Sequence, residues 1–126
     1  MSERDYLSLA EVLAIHADQI ERYGGTPGVR DLGLLESALF RPQTGHYAGI
    51  LEEAAALWES LSQNHPFMDG HKRTAFAATV TFLAINGVRL TADARTSIAF
   101  LTRLYGSGGF AFAPVVEWLR RYTVRT

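Results

Sequence analysis

The sequence predicts an all-α fold, a compact bundle of six helices around a central buried helix, formed by a single domain over residues 1–126. Three observations predict it. Apolar residues recur at helical spacing in most segments between turn signals. Strand signals are nearly absent, "GVRL" at Gly87–Leu90 being the one short extended candidate. One stretch, Ala75 to Ile85, is apolar on every side, which places a helix inside a bundle rather than on its surface. With 126 residues, 48% of them hydrophobic, the chain suits one core, and no repeat, low-complexity tract or boundary divides it.

The elements follow in order. Ser8-Leu-Ala-Glu11 has the form of a capping box, after which Leu9, Val12, Leu13, His16 and Ile20 keep helical spacing until Tyr23-Gly24-Gly25. The segment "GGTPGVRD" is a turn cluster, and Asp31 can cap a second helix, Leu32 to Phe40, ended by Pro42. A polar loop to Gly49 precedes a third helix, Glu52 to Gln63, with Glu52 and Glu53 in its first turn and Ala54 to Trp58 and Leu61 inward. His65 precedes a proline, so that helix must end there. The fourth helix, from about His71 to Asn86, stops at Gly87. A fifth starts near Thr91 or Ala92 and ends at Tyr105, "GSGGF" is a flexible link, and Ala113 to Tyr122 is the sixth.

Charge and composition exclude several function classes. Twelve basic and thirteen acidic residues leave a net charge of -1, so no overall field draws the chain to nucleic acid or an anionic membrane. The absence of cysteine excludes disulfides, thiolate nucleophiles and Cys-based zinc sites, and fits a reducing compartment. No apolar run resembles a signal peptide or reaches the ~18 residues needed to cross a bilayer. These features imply a cytoplasmic protein.

The chemistry concentrates in "NHPFMDGHKRTAF", Asn64 to Phe76. The first turn of the fourth helix, His71-Lys72-Arg73-Thr74, puts cations where a helix already carries partial positive charge, so an anion belongs there. Backbone N–H groups of Gly70 to Arg73, the helix dipole and two cationic side chains converge on a phosphate-sized site, and Gly70 permits close approach. Asp69 beside that cradle suits a bridging Mg²⁺, and His65 carries an imidazole, reference pKa about 6.5, able to take a proton from a hydroxyl. Phe67 between them suits an anchor inserted into the core. Two other readings stand beside this one. Lys72 and Arg73 are solvated and Asp69 is an N-cap paired with them, or His65, Asp69 and His71 hold a metal, with His16 a core histidine and His46 a loop histidine without a nearby acid.

"HPFMDGHKR" resembles the signature of Fic-domain proteins, His-x-Phe-x-(Asp/Glu)-Gly-Asn-(Gly/Lys)-Arg, in the form with Lys followed by Thr-Ala that marks the death-on-curing (Doc) toxins. "RYGGTPGVRDLGLLESALFRPQ" and the helical tail are also similar to Doc proteins. The resemblance implies a compact helical bundle. It implies His65 as general base, Phe67 as buried anchor, Asp69 as the Mg²⁺ ligand, and Gly70, His71, Lys72 and Arg73 at the nucleotide-phosphate positions. Adenylylating Fic enzymes have Gly at the Lys72 position and a second Arg at Phe76; both departures are shared with Doc. The implied activity is therefore a protein kinase that passes the γ-phosphate of ATP to a threonine of elongation factor Tu and halts translation, as the toxin of a toxin–antitoxin pair. Protein adenylylation, or a weakened binding module, are the alternatives. His71 replaces the motif's Asn and is not shared with Doc. No Ser/Thr-x-x-x-Glu-Gly/Asn inhibitory segment occurs, so the implied inhibitor is a separate Phd-like antitoxin whose C-terminal segment folds as a helix into an apolar groove.

Overall fold

A computed structural model describes residues 4–106 and 110–126. Six α-helices lie in the order α1 (Leu9–Tyr23), α2 (Leu32–Phe40), α3 (Gly49–Gln63), α4 (His71–Ile85), α5 (Ala94–Gly106) and α6 (Phe112–Arg121), with two short strands, β1 (Val88–Leu90) and β2 (Thr123–Arg125). This is the all-α architecture the apolar periodicity requires.

Helix α1 starts where the capping box sets it. Ser8 Oγ accepts the Glu11 N–H at 3.1 Å, and Glu11 Oε1 accepts the Ser8 N–H at 2.8 Å. Asp31 Oδ1 accepts the Leu34 N–H at 3.0 Å and opens α2. At Pro42 the chain tightens into a 3₁₀ turn, Arg41–Gln43, before entering the loop. Helix α3 begins at Gly49, earlier than its acidic pair suggests, because Glu52 reaches back to the Ala48 N–H at 3.1 Å and Ile50 is buried. Glu53 is not a solvated first-turn acid. It is 8% exposed and takes hydrogen bonds from the Arg4 guanidinium, at 3.2 Å, and the Tyr6 hydroxyl, at 2.8 Å, which tie the N-terminal segment across the bundle.

Helix α4 packs most extensively on α3, and its buried residues are Thr74, Ala75, Ala78, Thr79, Phe82 and Leu83. Its opposite face, with Phe76, Ala77, Val80 and Thr81, is only partly buried, so the all-round apolar helix is central but not enclosed. That face floors an apolar groove of about 990 Å³ between α1 and α5. Helix α5 starts at Ala94, where Asp93 Oδ1 accepts the Thr96 N–H at 2.7 Å, and ends at Gly106. The "GSGGF" link falls largely on residues 107–109, outside the described residues.

β1 forms where "GVRL" suggested it, antiparallel to β2 with Val88 opposite Arg125 and Leu90 opposite Thr123. The sequence did not announce β2, since three residues are too few to show alternation. One hydrophobic cluster joins the elements, with Trp58 fully buried inside it. The Trp58 indole N–H donates to the Tyr105 hydroxyl at 3.0 Å, and its ring meets Phe76, Phe100, Phe110 and Trp118. Among the described residues no helix is long and apolar enough to cross a membrane.

Candidate active site

The loop from Asn64 to Gly70 joins α3 to α4 and carries most of the candidate residues. Helix α3 ends at Asn64, and the next residue, His65, has φ +52°. A left-handed residue after a helix cap is commonly glycine, so a histidine there is an outlier that invites a functional reading. Pro66 and Phe67 then turn into the core while His65, Met68 and Asp69 stay exposed. Phe67 is 1% exposed and lies flat on His16, ring centroids 3.9 Å apart and planes 6° from parallel.

The turn cluster between α1 and α2 holds this loop from outside. Val29 and Phe67 form an antiparallel bridge, the Met68 N–H donates to the Gly28 carbonyl at 3.0 Å, and the N–H groups of Arg30 and Asp31 donate to the Pro66 carbonyl at 2.8 and 3.1 Å. His16 Nε2, in the tautomer that carries its proton there, donates to the Asp69 carbonyl at 2.8 Å. The Asp69 carboxylate accepts the Thr26 N–H at 3.2 Å through Oδ2 and the Gly70 N–H at 2.9 Å through Oδ1. A β-carbon at Gly25, where φ is +118°, would stand 2.7 Å from Asp69 Oδ2, so only glycine lets the turn close on that acid.

The N-cap of α4 is Gly70, in a left-handed conformation at φ +73°, and no side chain caps the first turn. Asp69 is therefore not the cap, and among the described residues it forms no ion pair with Lys72 or Arg73. Those cations are parked elsewhere. The Lys72 ammonium sits over the Tyr105 ring, 4.9 Å from its centroid. Arg73 donates to the Gly24 carbonyl at 2.8 Å and lies over Tyr23. The uncapped N–H groups and positive end of α4 remain open to an anion.

The hydrogen bonds from the Thr26 and Gly70 N–H groups hold the Asp69 carboxyl below its usual range, so it is a carboxylate at neutral pH. Burial pushes His71 below the ordinary imidazole value of 6.5, aided by the neighbouring His65 and Lys72 and opposed by Asp69. The rings of His65 and His71 lie 4.1 Å apart at 34°. Because the folded pKa of His71 is depressed, the stability it contributes is present above the unfolded imidazole value and is lost as pH falls through the folded one. His71→Asn is expected to lose less stability than the parent between about pH 7 and 5, across the imidazole range. Urea unfolding of both proteins at several pH values checks this, and parallel stability profiles would refute it.

Among the described residues no group of three or more His, Asp or Glu side chains is placed to hold a metal, so the three-ligand reading of His65, Asp69 and His71 finds no support. His46 is an exposed loop residue away from the motif. One ionised, exposed carboxylate beside an uncapped helix terminus does fit Mg²⁺, which takes one or two carboxylates and completes its shell with phosphates and water. No motif in the sequence alone marks Gly25, Thr26 and Arg30 as site residues or gives His16 more than a core role. The available signal was a turn cluster too rich in glycine for a simple connection.

Residues 6–83 match the model of the Fic/DOC family, a span that includes the whole motif. A protein named Toxin Doc from Mycolicibacterium smegmatis is 48% identical over 94 residues, 71% of this chain and 70% of that one. A protein named Protein kinase doc from Escherichia phage P1 is 32% identical over 120 residues, 92% of this chain and 94% of that one.

Proposed function

The chain belongs to the Fic/Doc family, and we propose on that premise that it is a cytoplasmic Doc-type toxin, a single catalytic domain over residues 1–126 that transfers the γ-phosphate of ATP to a hydroxyl of a translation factor. Elongation factor Tu is the proposed target. The observation that carries this reading is the pairing of an exposed histidine, held at φ +52°, with an uncapped helix N-terminus beside an ionised acid. His65 takes the proton of the target hydroxyl, whose oxygen attacks the γ-phosphorus while ADP leaves. The N–H groups of the first turn of α4 bind phosphate oxygens, with the imidazole N–H of His71 in the place of the motif's amide. Lys72 and Arg73 turn from their aromatic rests toward the same anion. Asp69 would hold Mg²⁺, which neutralises phosphate charge when bound.

Phe76 supports phosphoryl over adenylyl transfer. It stands where adenylylating relatives carry a second arginine, and here it packs on Trp58 at 5.3 Å, so it offers the nucleotide no charge. The 990 Å³ groove along α4 supports an external inhibitor, the Phd-like antitoxin whose C-terminal helix would cover Ile15, Val80 and the exposed Ile98.

Incubating the protein with a cell extract and ATP labelled in either the α- or the γ-phosphate tests the reaction. Label from the γ-phosphate on a protein near the size of elongation factor Tu is the expected result. Label from the α-phosphate would assign adenylyl transfer instead.

A further inference from the structure

We propose that Arg30 is a positioning residue for His65, an inference that rests on the reading of His65 as the base. Arg30 is exposed on the turn before α2, far from the motif in sequence. Its Nε donates to the His65 carbonyl at 2.7 Å and its Nη2 to the Asn64 carbonyl at 3.2 Å. Its backbone N–H, with that of Asp31, takes the next carbonyl, Pro66. Three consecutive carbonyls, 64 to 66, thus end on one short turn.

Asn64 is the C-cap of α3 and His65 and Pro66 follow it directly, beside the end of the helix that carries partial negative charge. A guanidinium suits that place, and its rigid fork spans two acceptors where a lysine ammonium serves as a point charge. The fork also acts where the backbone is least willing. A residue with a β-carbon at φ +52° sits about 1–2 kcal/mol above its right-handed alternative, so His65 stays there because its surroundings hold it. Phe67 fixes the loop from the core side, two residues on. Arg30 fixes the His65 peptide itself, and that peptide sets the direction in which the imidazole leaves the chain. Arg30 forms none of the ion pairs among the described residues, so a role in surface charge pairing does not account for it.

The test uses the full chain with Arg30→Ala and Arg30→Lys, beside His65→Ala. A misdirected base lowers kcat by roughly 10- to 100-fold with KM for ATP unchanged, because the phosphate positions on α4 are untouched. The lysine variant recovers part of that loss. Thermal unfolding changes little for an exposed residue. The His65 ring signals in proton–carbon NMR, shifted by the adjacent His71 ring 4.1 Å away, move toward free-imidazole positions in Arg30→Ala. Parental kcat with unmoved His65 signals would overturn the proposal, as would an activity loss that only follows a lowered Tm. If His65→Ala retains activity, the base reading fails instead, and the ring signals alone then decide whether Arg30 positions His65.

Discussion

His65→Ala is expected to lower phosphoryl transfer by about 10²–10⁴-fold, the usual contribution of a general base, and to abolish growth arrest in cells. The fold should survive, because the His65 side chain is exposed and contributes its ring to no core contact. His65→Gly separates chemistry from backbone. Both variants lack the imidazole, but only glycine occupies φ +52° without a β-carbon, so His65→Gly is expected to be about 1 kcal/mol more stable than His65→Ala. That difference raises Tm by a few degrees for a chain of this size. Two inactive variants of unequal stability would show that the histidine is kept at this position for its ring and against the preference of the backbone. An active His65→Ala protein would sink the assignment of the base, and equal stability of the two variants would sink the argument about strain.

Signals that act within one or two turns were legible in the sequence: the Ser8–Glu11 box, the Asp31 cap, the end of α3 before Pro66 and the stop of α4 near Gly87 all depend on neighbours in the chain. Contacts across the chain were not. The inward turn of Glu53 needs Arg4 and Tyr6, both more than forty positions away. In the sequence the neighbours visible to the Asp69 carboxylate are the cations that follow it, whereas its partners in the fold include the N–H of Thr26, brought near by the packing of α1 on α4. His71 shows the same limit. The neighbouring lysine and Asp69 were foreseeable influences on its proton, but burial, the largest cause of its lowered pKa, and the ring of His65 appear only in three dimensions. The motif names the groups in the site, and the segment from Gly24 to Asp31, which lies outside the motif, holds their backbone in place.

Phe67→Ala is expected to destabilise the protein by about 3–5 kcal/mol, the usual cost of emptying a buried phenylalanine site. Against a typical total of about 5–15 kcal/mol, that leaves a folded but weakened protein or none at 37 °C. The size of the effect follows from what the ring covers. Phe67 is 1% exposed, and its removal bares the face of His16 that now lies 3.9 Å from it. His16 is itself 4% exposed and holds the Asp69 carbonyl, so a cavity at Phe67 loosens a side chain that links α1 to the loop just before α4. Phe67→Leu distinguishes packing from alignment. Leucine restores most of the buried volume and should recover much of the lost stability, but it cannot reproduce two planes within 6° of parallel. Its activity should therefore remain lower than its stability predicts, because a tilting His16 releases the Asp69–Gly70 turn that presents the acid. Urea unfolding and γ-phosphate transfer, measured on both variants, separate the two effects. A cost below about 1 kcal/mol for Phe67→Ala would mean that the hydrogen bonds donated to the Gly28 carbonyl and by the Arg30 and Asp31 N–H groups hold the loop without its anchor. A Phe67→Leu protein with parental activity would show that the stack on His16 has no part in aligning the site.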